Sequence, residues 1–289
     1  MPDIFIAGCG YCGERLARTY RDTGTGVTCM VRSPERAQRL TSDGFVTTTL
    51  ALDDITELPP LDLSGQTVFY LVPPPGGGTS DLRARNFISL LSPAGTPKKI
   101  IYMSATSVYH ETDGGTVTEA SPTIPDTAMG KRRLDAEIIF RDYGSKVGIP
   151  VITLRVSGIY GPGRLPLMQI SQGQPLLNEE ESGPSNRIHV DDLADICRAA
   201  ALHGNGGDIF NVSDGHPSSM TSYFDACADA LSMPRQPRVS LTEARQLMTP
   251  LMFSYVSQSR IVDNSAMMHK LRITLRYPTA QEGLKKSMS

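Results

Sequence analysis

Six residues near the start of the chain, Gly8-Cys9-Gly10-Tyr11-Cys12-Gly13, narrow the fold sharply. They follow Ile4-Phe5-Ile6-Ala7, an apolar run that reads as a buried strand, and lead into Glu14 to Tyr20, which reads as a helix. The three glycines have separate uses. Gly8 permits a tight turn, Gly10 lets the backbone approach a pyrophosphate, and Gly13 lets helix and strand pack closely. A helix starting here aims unpaired N–H groups at phosphate oxygens. Together they make a dinucleotide-binding fingerprint, with Gly8, Gly10, Tyr11, Cys12 and Gly13 as the expected contacts. The same residues contain Cys9-x-x-Cys12, and a cysteine at a helix N-terminus has a lowered pKa. A redox pair, or a regulatory disulfide that blocks the turn, is the competing reading.

The segments that follow alternate strand-like and helix-like, which implies a parallel sheet with crossover helices. Strands are expected at Val27–Val31, Phe45–Leu50, Thr67–Val72, Lys99–Met103 and Val151–Arg155. Helices are expected from Ser33-Pro34, with the serine as cap, over Asp81–Leu91, and over about 128–143. Ser104 to about Asp126 reads as a long polar loop. After Gly161-Pro162-Gly163 the 171–187 stretch also reads as loop. Helices near Asp191–His203, with Asp191 as cap, and Ser219–Leu231 flank a strand at Asp208–Val212. The predicted class is α/β: a doubly wound parallel Rossmann sheet at 1–160, then a smaller C-terminal α/β substrate domain at 161–289 that exchanges elements with it.

Charge excludes several functions. Lysine plus arginine number 28 and aspartate plus glutamate 30, with no basic run, so no nucleic-acid surface is expected. No apolar run approaches the ~20 residues that span a bilayer, and the chain opens on its first strand with no room for a signal peptide. Five scattered cysteines make no disulfide framework. A soluble protein of the reducing cytoplasm is the expectation. His189 with Asp191-Asp192 lacks the ligand set of a metal site, so no metal is expected.

The end of the second strand indicates which dinucleotide. An NAD site places Asp or Glu there; this chain reads Met30-Val31-Arg32-Ser33. Arg32 suits a 2′-phosphate, with Ser33 and Arg36 close enough to help, and NADP is favoured over NAD. A solvated loop arginine is the alternative. Asp53, after the third strand, stands where a carboxylate can approach an adenine amino group, or in a surface turn. Val72 and Pro73, at the end of the fourth strand, complete the expected cofactor contacts.

Later segments carry a resemblance. Tyr102-Met103-Ser104-Ala105-Thr106-Ser107-Val108-Tyr109, Leu154 to Arg164, Asn186 to Ala194, Asn211-Val212-Ser213-Asp214-Gly215, and Leu275-Arg276-Tyr277-Pro278-Thr279 with Gly283-Leu284 occur in the order of the extended short-chain dehydrogenases/reductases, or NAD-dependent epimerases/dehydratases. The chain resembles that family over most of its length. The resemblance implies a nucleotide cofactor and a small-molecule substrate, with pairing of two copies through long helices. It also implies a Tyr-x-x-x-Lys pair and a Ser or Thr after the fifth strand, the tyrosinate being acid/base and the lysine holding the nicotinamide ribose.

Measured against that pattern, Thr127-Ala128-Met129-Gly130-Lys131 keeps the lysine but puts Thr127 at the tyrosine, and the serine position falls on Ala105 beside Thr106. A threonine hydroxyl is a poor base near neutral pH. The candidate catalytic set is therefore Lys131, Thr106, Thr127 and Tyr109, with His110 and Tyr160 as other proton carriers. Tyr160, Arg164 and Arg187 are the candidate substrate contacts, the arginines suiting an anion such as a nucleotide sugar. Two functions stand open: hydride transfer to or from a carbonyl or alcohol carbon, and cofactor binding without turnover.

Overall fold

In the inner strands of the parallel sheet buried residues fill the strand rather than alternating along it, as strands covered on both faces require. The computed structural model describes residues 3–56, 58–92, 95–110, 113–249, 252–253, 256 and 258–287. The chain runs β1 (Ile4–Ala7), α1 (Tyr11–Arg21), β2 (Val27–Val31), α2 (Pro34–Ser42), β3 (Val46–Thr49), β4 (Thr67–Tyr70), α3 (Leu82–Leu90) and β5 (Lys99–Ala105). It continues through β6 (Asp113–Val117), α4 (Ala128–Val147), β7 (Val151–Val156), β8 (Gly158–Tyr160), α5 (Leu167–Ser171), β9 (Leu176–Leu177), β10 (Pro184–Ser185), β11 (Arg187–His189) and α6 (Val190–His203). Last come β12 (Ile209–Val212), β13 (Ser218–Ser219), α7 (Met220–Ala230), β14 (Arg238–Val239), α8 (Leu241–Leu247), β15 (Ser259–Val262), α9 (Ser265–Leu271) and α10 (Ala280–Ser287).

Seven strands form one parallel sheet in the order β12-β7-β5-β4-β1-β2-β3. The order reverses between β1 and β4, and a ligand crevice opens beyond the carboxyl ends of strands at such a switch point. One face packs a core of Ile6, Leu16, Cys29, Ile101, Leu154, Ile196 and Phe210 under α1 and α6. The other packs Phe5, Tyr70, Phe87, Tyr102 and Phe140 under α3 and α4. Ser33 caps α2, its hydroxyl accepting from the Arg36 N–H, with Pro34 in the first turn. Gly148, at φ 75°, ends α4 in the left-handed conformation. Between the layers Arg155 and Glu137 form a buried ion pair at 2.8 Å, and the Ser104 hydroxyl donates to the same carboxylate at 2.6 Å. This polar lock joins α4 to β5 and β7.

Two stretches depart from the loop reading. Asp113–Val117, inside the expected 104–126 loop, is strand β6, paired in parallel with β15. The 171–187 stretch supplies β9 and β10, which pair with β14 and β13. These strands are short, and distant partners rather than local β propensity make them. The cap of α6 is His189, whose Nδ1 accepts from the Asp191 N–H at 3.2 Å; Asp191 lies inside the first turn. Among the described residues no helix is long and apolar enough to cross a membrane, and no group of three or more His, Cys, Asp or Glu is placed to hold a metal.

Candidate functional site

The glycine turn sits at the crevice. Gly8 has φ +87°, and a Cβ there would stand 2.8 Å from the Val72 nitrogen. A Cβ at Gly13 would stand 2.9 Å from the Gly8 carbonyl oxygen and 3.1 Å from Ile6 Cγ2, so the first turn of α1 lies hard against β1. At Gly10 a Cβ would meet, among the described residues beyond its chain neighbours and its own helix, the Gly8 oxygen alone within 4 Å, at 3.9 Å. Gly10 is the N-cap of α1 and makes no side-chain capping bond, so the N–H groups of that first turn are left for a ligand. An open approach and unclaimed donors fit a pyrophosphate.

The cleft in front of the turn measures about 450 Å³. Gly8 to Gly13, Arg32, Arg36, Asp53, Val72, Pro73 and Arg164 of the expected residues line it, joined by Leu71, Arg83, Met103, Arg133 and Ile159. Five arginines face a single carboxylate, which is itself taken: Arg83 Nε and Nη2 donate to Asp53 at 2.7 and 3.0 Å. That bond holds the Asp53 carboxyl below its ordinary range. Arg83 also donates to the Pro73 carbonyl at 3.0 Å, fixing the rim after β4. Arg32 is exposed and makes no hydrogen bond or ion pair with a described residue. Arg36 turns inward instead. Its Nε donates to the Cys9 carbonyl at 2.8 Å and its Nη2 to Glu14 at 3.0 Å, pinning the glycine turn to α2.

At the other end of the cleft, α4 presents a cation two residues later than the family pattern suggested. Lys131 is exposed and lies outside the lining, and Thr127 is spent as N-cap, its hydroxyl accepting from the Gly130 N–H at 3.1 Å. Arg133 lines the cleft, donating to the Met103 carbonyl at 3.0 Å. Helix geometry explains the difference. Gly130, Ala136, Glu137, Phe140 and Gly144 make the buried face of α4. Steps of three and four from Gly130 reach 133 and 137, while 131 turns away. That spacing could have been read from the sequence.

The remaining candidates scatter. Thr106 follows β5 in a single 3₁₀ turn outside the lining, its carbonyl accepting from Arg260. Tyr109 is buried, donating to Asn211 Oδ1 and accepting from Arg155, and burial raises its pKa. Tyr160 is buried against His189 and Tyr223 and donates to the Thr279 carbonyl. Arg187 is buried beneath the Tyr223 ring, 3.9 Å from its centroid, and donates to Ser218 Oγ, away from the cleft. His110 is exposed, beside the Ile124 carbonyl. Among the described lining residues Tyr11 is the one tyrosine; its hydroxyl donates to the Pro162 carbonyl at 3.0 Å, and burial raises its pKa. The cysteines differ from expectation as well. The Cys9 thiol is hydrogen-bonded to Cys29, and that bond together with burial pushes its pKa far up, while burial raises that of Cys12. Neither carries the lowered pKa that the helix terminus suggested: the Cys29 bond raises that of Cys9 most, and burial raises that of Cys12. All five cysteines are free.

The model of the NAD dependent epimerase/dehydratase family matches residues 4–213. A trifunctional UDP-glucose 4,6-dehydratase/UDP-4-keto-6-deoxy-D-glucose 3,5-epimerase/UDP-4-keto-L-rhamnose-reductase of Arabidopsis thaliana is 29% identical over 129 residues, 41% of this chain and 19% of its own. The chain thus matches about a fifth of the length of that relative. Protein YeeZ of Escherichia coli K12 is 24% identical over 287 residues, 96% of this chain and 97% of its own. The structure of UDP-glucuronic acid 4-epimerase from Bacillus cereus in complex with NAD superposes with a TM-score of 0.76 at 17% identity, covering 99% of this chain and 97% of that one.

Proposed function

The chain belongs to the NAD-dependent epimerase/dehydratase family, and from that membership we propose that it binds NADP(H) and acts as an oxidoreductase or epimerase/dehydratase on a carbonyl or alcohol carbon of an anionic substrate, of which a nucleotide sugar is the model. Arg32 carries the cofactor choice. It stands at the end of β2, exposed and without a described hydrogen-bonding partner, in the place where a ribose-binding carboxylate would mark an NAD site. A dinucleotide held here would supply hydride donor or acceptor chemistry at a substrate carbon. The chain's own residues bind and orient. The first turn of α1 and the glycines receive the pyrophosphate, Arg32 and the free O–H of Ser33 the 2′-phosphate, and Val72 and Pro73 the adjoining wall. Arg133 takes the ribose-holding place of the lysine. A guanidinium does not deprotonate near neutral pH, so Arg133 holds a hydroxyl and moves no proton. Met103 and Ile159 give the cleft apolar surface, and proton exchange at the substrate oxygen falls to water in the cleft.

Ala105 and the single, hydrogen-bonded Tyr11 favour a second reading, a cofactor-binding protein without turnover. One experiment separates the two. NADPH and NAD⁺ are titrated against the protein and Arg32→Ala, and NADPH consumption is followed with a panel of aldehydes, ketones and keto-sugar nucleotides. The leading reading expects NADPH to bind at least ~10-fold more tightly than NAD⁺, a preference lost in the variant, and consumption with at least one panel member. Tight binding with no consumption sinks it in favour of the second.

A further inference from the structure

Tyr11 is the joint between the glycine turn and the loop after β8. Its hydroxyl donates to the Pro162 carbonyl at 3.0 Å, and a Cβ at Gly161 would stand 2.9 Å from that hydroxyl. Gly161 at φ +146° and Gly163 at φ +74° take conformations that other residues rarely adopt. These bends seat the loop on Tyr11 and return Arg164 over the ring. Two guanidinium groups lie over this ring, Arg15 at 5.1 Å and Arg164 at 5.2 Å from its centroid. Their fates differ. Arg15 pairs with Asp191 at 3.3 Å. Arg164 lines the cleft with Gly10 to Gly13, and while its backbone N–H donates to the Gly161 carbonyl at 3.0 Å, its guanidinium makes no hydrogen bond or ion pair with a described residue.

We propose that Arg164 is a cofactor residue, a clamp on the dinucleotide's pyrophosphate supplied from the substrate-side loop. Tyr11 is the first residue of α1, whose unclaimed N–H groups meet the pyrophosphate. A guanidinium over that ring lines the same cleft as the turn that would receive the phosphates, while Arg32 enters that cleft from the end of β2. Stacking on an aromatic face orients the planar fork, and two parallel N–H groups suit two phosphate oxygens. The turn then supplies neutral donors from one side and Arg164 the compensating charge from the other. The inference rests on the dinucleotide reading of the cleft and is independent of the choice between NADP and NAD.

The test compares Arg164→Gln and Arg164→Lys with the unaltered protein. NADPH binding is read by its fluorescence, and NAD⁺ and adenosine 2′-monophosphate by calorimetry. The Arg164 side chain is exposed and its guanidinium makes no hydrogen bond or ion pair with a described residue, so both variants should melt within about 2 °C of the parent. The expected result is a loss of ~10- to 30-fold for NADPH and NAD⁺ in Arg164→Gln, a smaller loss in Arg164→Lys, and a change under twofold for adenosine 2′-monophosphate, which has no pyrophosphate. Arg32→Ala should do the reverse, weakening adenosine 2′-monophosphate and NADPH and sparing NAD⁺. If Arg164→Gln leaves both dinucleotides within twofold of the parent, the assignment falls and Arg164 returns to the substrate. If only Arg32→Ala is without effect, the NADP reading falls and the clamp stands.

Discussion

Gly10→Ala isolates the approach of the backbone to a pyrophosphate from everything else the glycine turn does. Beyond its chain neighbours and its own helix the added methyl would meet nothing among the described residues but the Gly8 oxygen, at 3.9 Å. Residue 10 has φ −88° and ψ −147°, a negative φ with a ψ at the edge of what alanine adopts. Stability should barely move. A less mobile unfolded chain gains about 0.4–1 kcal/mol, and the poorer N-cap together with the unfavourable ψ of −147° costs about 1 kcal/mol. The net change lies within about 1 kcal/mol, a shift of at most ~4 °C in a chain of this size. Binding should collapse, because the methyl fills the space through which phosphate oxygens reach the first turn of α1. Losing two charge-assisted N–H bonds at about 1.5–2 kcal/mol each weakens binding ~10²–10³-fold. Thermal melting without ligand and fluorescence titration with NADPH measure the two halves. Gly13→Ala is the contrast. Its methyl would press on the Gly8 carbonyl at 2.9 Å, a backbone atom that cannot step aside, so melting temperature and binding should fall together. A Gly10→Ala protein that melts normally and binds NADPH within threefold of the parent would refute the placement of the pyrophosphate against this turn.

Arg133→Ala should weaken NADPH at least ~10-fold in the same titration while Lys131→Ala leaves it within twofold, since only the first side chain lines the cleft; equal effects would remove the α4 assignment. Arg155→Met strands the buried Glu137 carboxylate and should cost about 3–5 kcal/mol in urea unfolding, with Arg155→Met/Glu137→Leu recovering most of it. His189 gives a pH dependence: burial pushes its pKa from 6.5 down to about 4. The unfolded chain therefore takes up the proton first. Stability from this group is full above pH 6.5 and falls by about 3 kcal/mol as pH drops toward 4. His189→Asn, which keeps a capping acceptor, should flatten that slope in melts across this range; an unchanged slope would clear His189 of the effect.

The large sheet was legible because its strands are covered on both faces. Val27–Val31 and Val151–Val156 are continuous apolar or β-branched runs broken only by Arg155, and that arginine is buried because Glu137 meets it. The glycine turn was legible for a different reason: each glycine answers a separate steric demand at fixed spacing. What failed to show was whatever depends on distant partners. Asp113-Gly114-Gly115-Thr116-Val117 has no intrinsic claim to be a strand, and it becomes one on Ser259–Val262. In the candidate site the same limit separated residue type from placement. Arg164 and Arg187 look equivalent in sequence, yet one lies in the cleft and the other beneath Tyr223. Lys131 matched a spacing, whereas the buried face of α4 selects Arg133.

The pairing of β6 with β15 also sets the order in which this molecule can be made. During synthesis the first six strands of the large sheet leave the ribosome early, but β7 keeps a bare edge until Ile209–Val212 arrives. Asp113–Val117 then waits for a partner encoded roughly half a chain later. Asn211 gathers these late pieces, its N–H bonding to Glu119 and its side chain to Tyr109 and the Asp263 carbonyl. Contacts so far apart in sequence carry the entropy of closing large loops and form slowly. The loop after β5, whose Thr106 carbonyl meets Arg260, is therefore finished last. The nascent chain can hold its glycine turn long before it has a completed wall on the substrate side, and for that interval the edge of β7 is an unpaired strand edge of the kind that invites association.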